Sequence, residues 1–195
     1  MHYVIDQAKS LGATVRYRID GTGNKFIVRA TATGLFSALG HNPTISIADF
    51  EGEALVDPEA LEKSSLRLVI QASSLAVTDD VSDKDRAEIE RRMHHEVLES
   101  DGYSEIVYEC SKISASKTGD GEYWGALNGE LSLHGVTRSQ PVSVRVKFHG
   151  DTLHAVGDFS LRQSDYEIKP VSAVGGTIRL KDELKLSFDI VARKG

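Results

Sequence analysis

Gly125-Ala126-Leu127-Asn128-Gly129-Glu130-Leu131-Ser132-Leu133-His134-Gly135-Val136-Thr137 is followed by Val142, Val144, Val146 and Phe148. Leu127, Leu131 and Leu133 share one parity, and the valines with Phe148 repeat it on the far side of a polar knot, Gly135 to Gln140. Apolar residues at every second position on both sides of a turn make an antiparallel hairpin with one wet and one apolar face. The pattern recurs along the chain. A long series of such strands either forms a sandwich or closes on itself, and a closed sheet is an apolar container.

Upstream, Val15, Tyr17 and Ile19 alternate with Arg16 and Arg18, and Asp20 to Asn24 lead into Phe26, Val28 and Ala30, which reads as an opening hairpin. Gly34 to Leu39 reads as a short helical turn, ended by Gly40 and His41-Asn42-Pro43. Ile45 and Ile47 share one parity while Phe50, Gly52, Ala54 and Val56 share the other, so a β-bulge is expected near Ala48 and Asp49. Further strands are read at Leu66 to Ala72, Ile106 to Cys110, Leu153 to Leu161 and Leu184 to Ala192. Asp83 to Ser100 breaks the pattern. Ile89, Met93 and Val97 recur every four residues behind a capping sequence, Ser82-Asp83-Lys84-Asp85, and predict an amphipathic helix lying on the sheet or across a barrel mouth.

The chain has 195 residues with no linker, composition break or repeat, which reads as a single domain over 1–195 with a core of about 15–193. A net charge of −6 argues against nucleic acid as a partner and against adhesion to an anionic bilayer. The lone Cys110 excludes an intramolecular disulfide and a cysteine metal cluster. No run approaches the roughly 20 apolar residues of a membrane span, so stable membrane insertion is not expected. With no basic leader before an apolar stretch, a cytoplasmic protein is expected, or a periplasmic one if the chain has been trimmed.

Three segments carry a resemblance to a known family. They are Phe26-Ile27-Val28-Arg29 leading to Gly40-His41-Asn42-Pro43; Met93-His94-His95-Glu96-Val97-Leu98-Glu99-Ser100 with Tyr103 and Ile106; and Leu131 to Thr137 with Arg162, Ser164-Asp165-Tyr166 and Ile168. In order and spacing they resemble the YceI-like family. That resemblance implies a lipocalin-like, extended antiparallel β-barrel around an elongated apolar cavity. It also implies binding of isoprenoid chains, quinone-like lipids or other long amphiphiles without catalysis. The chain departs from common members in His94-His95 and in a more acidic helix.

Fold class is therefore expected to be all-β, with one inserted amphipathic helix and a short helical turn. The expected ligand-binding residues are Phe36, Leu39, His41, Phe50, Leu68, Ile70, Met93, Tyr103, Ile106, Tyr108, Leu131, Phe159 and Tyr166. Small residues such as Ala30, Gly52, Ala54, Ala72, Gly129, Ala155 and Gly157 alternate with larger ones, which leaves space for a narrow ligand or allows a filled, tightly coiled core. His41, Arg162 and Asp165 are candidates for contact with a polar head group. Each also has a plain structural role open to it: backbone bonding for His41, an ion pair for Arg162 with Asp165, core packing for Met93 and the tyrosines. Adjacent His94 and His95 point about 100° apart on a helix, with no metal-ligand spacing, so exposed histidines and no metal are expected. No cofactor is expected beyond a bound lipid. The alternatives to a lipid carrier are a filled barrel that associates through an exposed face of Val69, Val107 and Val191 as a homodimer, and a histidine-based metal enzyme.

Overall fold

A computed structural model describes residues 14–33, 42–173 and 178–195. A closed antiparallel ring organises them. It runs through β1 (Val15–Asp20), β5 (Phe50–Val56), β6 (Ser65–Gln71), β8 (Glu105–Cys110), β10 (Glu122–Leu133), β11 (Val136–His149), β12 (Thr152–Arg162) and β15 (Glu183–Lys194). β15 closes the ring on β1 through Tyr17↔Lys194 and Arg18↔Arg193. The expected antiparallel, lipocalin-like barrel is present, with eight walls.

Four of the eight walls are strands broken in the middle. β2 (Lys25–Arg29) continues β1, β4 (Thr44–Ile47) precedes β5, β7 (Leu75–Val77) continues β6, and β9 (Ile113–Gly119) continues β8. β1 and β2 both run antiparallel to β15, so they lie in line and are not a hairpin. Seven steps from Arg18 to Lys25 face four from Arg193 to Asp189, and the surplus makes the bulge at 21–24. The expected bulge at Ala48–Asp49 is present beside it, with Ile47 and Phe50 both turned inward and Ala48 and Asp49 exposed. The two bulges touch at Gly21, where any Cβ would stand 2.1 Å from the Ala48 carbonyl oxygen. Only glycine permits that approach.

β10 and β11 pair without interruption from Glu122↔Lys147 to Leu133↔Val136. Their turn is His134–Gly135, with φ +52° and +75°, the two-residue geometry that matches strand twist. The polar knot Gly135–Gln140 is thus mostly strand, held by main-chain bonds to β10 and not by an apolar face.

The helical segment is shorter than its apolar stripe suggests. α1 (Asp83–Arg92) starts at Ser82, whose hydroxyl accepts the Asp85 amide at 3.1 Å. It passes into a wide turn, Met93–Val97, in which the Leu98 amide reaches the Met93 carbonyl at 2.9 Å. Met93 and Leu98 are buried against the barrel; Glu88–Arg91 and Arg92–Glu96 pair on the wet face. A small sheet of β3 (Ala32–Thr33), β13 (Ser172–Ala173) and β14 (Ile178–Leu180) lies off the ring. Among the described residues no helix is long and apolar enough to cross a membrane. Val69 is buried, which removes it from the exposed face expected of a filled, self-associating barrel; Val107 and Val191 are half-buried.

Candidate ligand-binding cavity

Inward parity on the barrel strands leads to one interior cavity of about 250 Å³. Leu153, Ala155, Phe159 and Leu161 of β12 all line it, so it runs the length of about eight residue steps, roughly 27 Å at ~3.4 Å each. So little volume over such a length makes a thin channel. Its wall is hydrocarbon: Val142, Val144 and Val146 on β11, Leu186, Phe188 and Ile190 on β15, and Leu66, Leu68 and Ile70 on β6. Among the described residues no charged side chain lines it.

Three polar lining groups already have partners. The Gln163 amide donates to the Lys181 carbonyl at 3.0 Å, and the Ser64 hydroxyl accepts the Asp57 amide at 3.1 Å. The Tyr108 hydroxyl meets the Leu127 and Gln140 carbonyls at 3.3 and 3.1 Å, and burial pushes its phenol well above the usual range. Burial also raises the Cys110 thiol, which lies in the same corner against the Lys112 carbonyl. The wall offers apolar contact along its length and little to bind a charge.

Of the residues expected from sequence, Leu68, Ile70, Ile106, Tyr108, Leu131 and Phe159 come together around the channel. The others in the described residues do not line it. Phe50 is 2% exposed, but it packs edge-on against Phe26 with ring centres 6.1 Å apart and so fills core beneath the β4–β5 bulge. Met93 and Tyr166 are likewise core residues, the latter under the short turn Gln163–Tyr166. Tyr103 is 38% exposed and lies against the His134 ring at 4.3 Å, outside the barrel. Arg162 and Asp165 are exposed; no ion pair joins them, and the Asp165 carbonyl accepts from Arg138 at 3.1 Å. Phe36, Leu39 and His41, with the expected helical turn 34–39, lie outside the described residues.

The histidine pair is also unlike its expectation. His95 is exposed, but His94 is half-buried between the Ser100 hydroxyl at 3.1 Å and the Leu75 carbonyl at 3.0 Å. Its ring is a structural tie. His134 bonds Glu99 at 2.7 Å, leaving its buried Nδ1 without a partner. No cluster of three metal-ligating groups occurs among the described residues. The residues missed as lining were mostly visible in the alternation: Val142, Val144, Val146, Phe148, Leu153, Phe188 and Ile190 sit at the same parity as those chosen. Val97 and Leu98, which close the channel from the helical segment, had a weaker signal in the helix stripe.

A family model described as YceI-like domain matches residues 3–192. No curated protein matches. Among solved structures, the chain is similar to BcnA from Burkholderia cenocepacia, at a TM-score of 0.66 and 16% identity over 89% of this chain and 98% of that one. It is similar to a polyisoprenoid binding domain from Saccharophagus degradans, at 0.64 and 12% over 93% and 99%. A Campylobacter jejuni YCEI protein gives 0.57 and 12% over 77% and 84%. At these identities the likeness is one of fold.

Proposed function

The chain belongs to the YceI-like domain family, and on that premise we propose that it binds one long, slender apolar molecule inside the barrel. The candidates are an isoprenoid chain, a quinone-like lipid or a fatty-acid derivative, held for carriage or storage. The observation that carries this reading is the channel: about 250 Å³ drawn out along a whole strand, mostly apolar and uncharged among the described residues. A thin apolar bore rewards a flexible hydrocarbon chain, at about 25 cal/mol for each Å² removed from water, and rejects a bulky or charged one. A polar head group belongs outside the bore. The polyisoprenoid binding domain of similar fold makes an isoprenoid the first ligand to try. The reading is binding, not catalysis: the described lining holds no carboxylate, imidazole or amine, and its Tyr108 phenol is kept protonated by burial.

Native mass spectrometry of freshly purified protein, followed by organic extraction, tests this. A discrete adduct that extracts as a prenyl or acyl lipid is the expected result. An apoprotein mass that persists after incubation with quinones and fatty acids would overturn it.

A further inference from the structure

We propose that the ligand passes through the side of the barrel, at the seam between β7 and β8, and that α1 with its wide turn is the gate. The proposal rests on the interior holding a lipid. β6 and β8 pair from Leu66↔Cys110 to Gln71↔Glu105, and the Ala72 amide makes a last link to the Ser104 carbonyl at 2.9 Å. Beyond it the two strands part. Among the described residues β7 pairs with β4 on one side and with no strand on the other.

The helical segment takes the place of that missing strand, and it does so with side chains. The Val77 amide donates to the Glu90 carboxylate at 2.9 Å. Arg86 donates to the Val77 carbonyl and, at 2.8 Å, to the Asp79 carbonyl. The His94 ring meets the Leu75 carbonyl at 3.0 Å. Residues 86, 90 and 94 are spaced by four, so they form one stripe along the helix facing a strand edge. Behind this stripe, Val97 and Leu98 reach the channel beside Leu75.

Most other seams of the ring are main-chain ladders, such as the eleven registered pairs of β12 with β15; among the described residues β9 also pairs on one side only, its other edge lying against the short turn Leu61–Lys63. Parting such a ladder strands many backbone groups at once. Parting the β7 seam frees three side chains and the four main-chain groups they meet, fewer than a long ladder and all within reach of water, and it uncovers the channel directly. The wide turn at 93–97 and Glu99, at φ +45°, stand at the foot of the segment where a swing must be absorbed.

Stopped-flow binding and release of cis-parinaric acid, which fluoresces in apolar surroundings, tests the gate. Glu90→Ala removes the acceptor for the Val77 amide. It is expected to raise association and release rates together, by about tenfold, while Kd stays within about twofold. Glu90→Gln keeps an acceptor oxygen and is expected to return rates toward wild type. Arg86→Ala probes the same seam should Glu90→Ala fold poorly. Arg67→Ala, which breaks an outer pair with Glu109 on the intact β6–β8 ladder, is expected to leave both rates unchanged. Wild-type rates in folded Glu90→Ala and Arg86→Ala proteins that still bind would overturn the gate and leave lipid binding standing. A wild-type protein that takes up neither the probe nor any extractable lipid would overturn the functional reading itself.

Discussion

The phenol ring of Tyr108 lies on the α-carbon of Gly129: a Cβ added there would stand 2.5 Å from the ring's Cζ and 2.6 Å from the Glu109 carbonyl oxygen. β8 ends at Cys110 and β9 starts at Ile113, both against β10, so the wall is locally irregular. The absent side chain lets Tyr108 turn into that irregularity and satisfy two carbonyls. Gly129→Ala is therefore expected to destabilise the protein by about 3 kcal/mol, because the ring can shift but the backbone oxygen cannot. Tyr108→Phe, losing only the hydroxyl's bonds, should cost about 1 kcal/mol and leave lipid binding intact. Urea denaturation measures both. A fully stable Gly129→Ala protein would contradict this packing.

Ala155 faces Val146 and Ile190 across its two ladders and borders the channel. Ala155→Phe should project a ring into open bore and reduce lipid affinity more than tenfold, with a stability change under about 1 kcal/mol. Leu131→Asp should lose lipid as well, but by burying a carboxylate without a partner, at several kcal/mol. Titration with cis-parinaric acid beside thermal denaturation separates the two. Unimpaired binding by Ala155→Phe would place the ligand elsewhere.

The sole tryptophan, Trp124, is 48% exposed on the outer face, opposite Arg145. Its emission is expected to be quenched by acrylamide and to change by less than about a tenth when lipid binds. A large blue shift on lipid addition would mean that the ligand sits on the outer wall.

Asp182 accepts the Ser164 hydroxyl at 2.6 Å and the Ser164 amide at 2.8 Å, and these bonds hold its carboxyl below the ordinary 3.8. A depressed folded value means stability that is full above 3.8 and is lost as pH falls through the folded value. Asp182→Asn is expected to melt earlier than wild type at neutral pH. The gap should narrow below pH 3.8, where wild type loses the same contribution. A gap independent of pH would remove the carboxylate from the explanation.

Much of this architecture can be read from residue order alone. The alternation around Leu127 to Phe148 gives the β10–β11 pairing, and the parity change at Ala48–Asp49 gives the bulge. The turn at His134–Gly135 was hidden because Thr137, Arg138 and Ser139 are exposed and their strand is defined by main-chain pairing, which leaves no hydrophobic period. β1 and β2 look like a hairpin for a different reason. A bulge and a turn use the same residues, Asp20 to Asn24, and only the distant partner β15 distinguishes them. In the cavity, parity told which residues point inward but not which find a packed neighbour: Phe50 meets Phe26, whereas Phe159 meets open space. The polar stripe Arg86, Glu90, His94 was masked by the apolar one beside it, since its partners are backbone atoms that carry no sequence signature.

The unbroken walls, β10, β11, β12 and β15, are all consecutive around the ring, and the interrupted ones make up the other half. Mechanically the barrel is a stiff spine facing a jointed flank. Hydrogen exchange at amides of Val144, Gly157 and Phe188 should be slow, and exchange along β4 and β7, joined by three registered pairs, should be fast. A bore with one yielding side can widen for a thicker or methyl-branched chain by flexing its joints, without breaking the spine's ladders. On the proposed function, the range of guests would then be set by the compliance of joints, such as 21–24 and 48–49, whose residues do not line the channel.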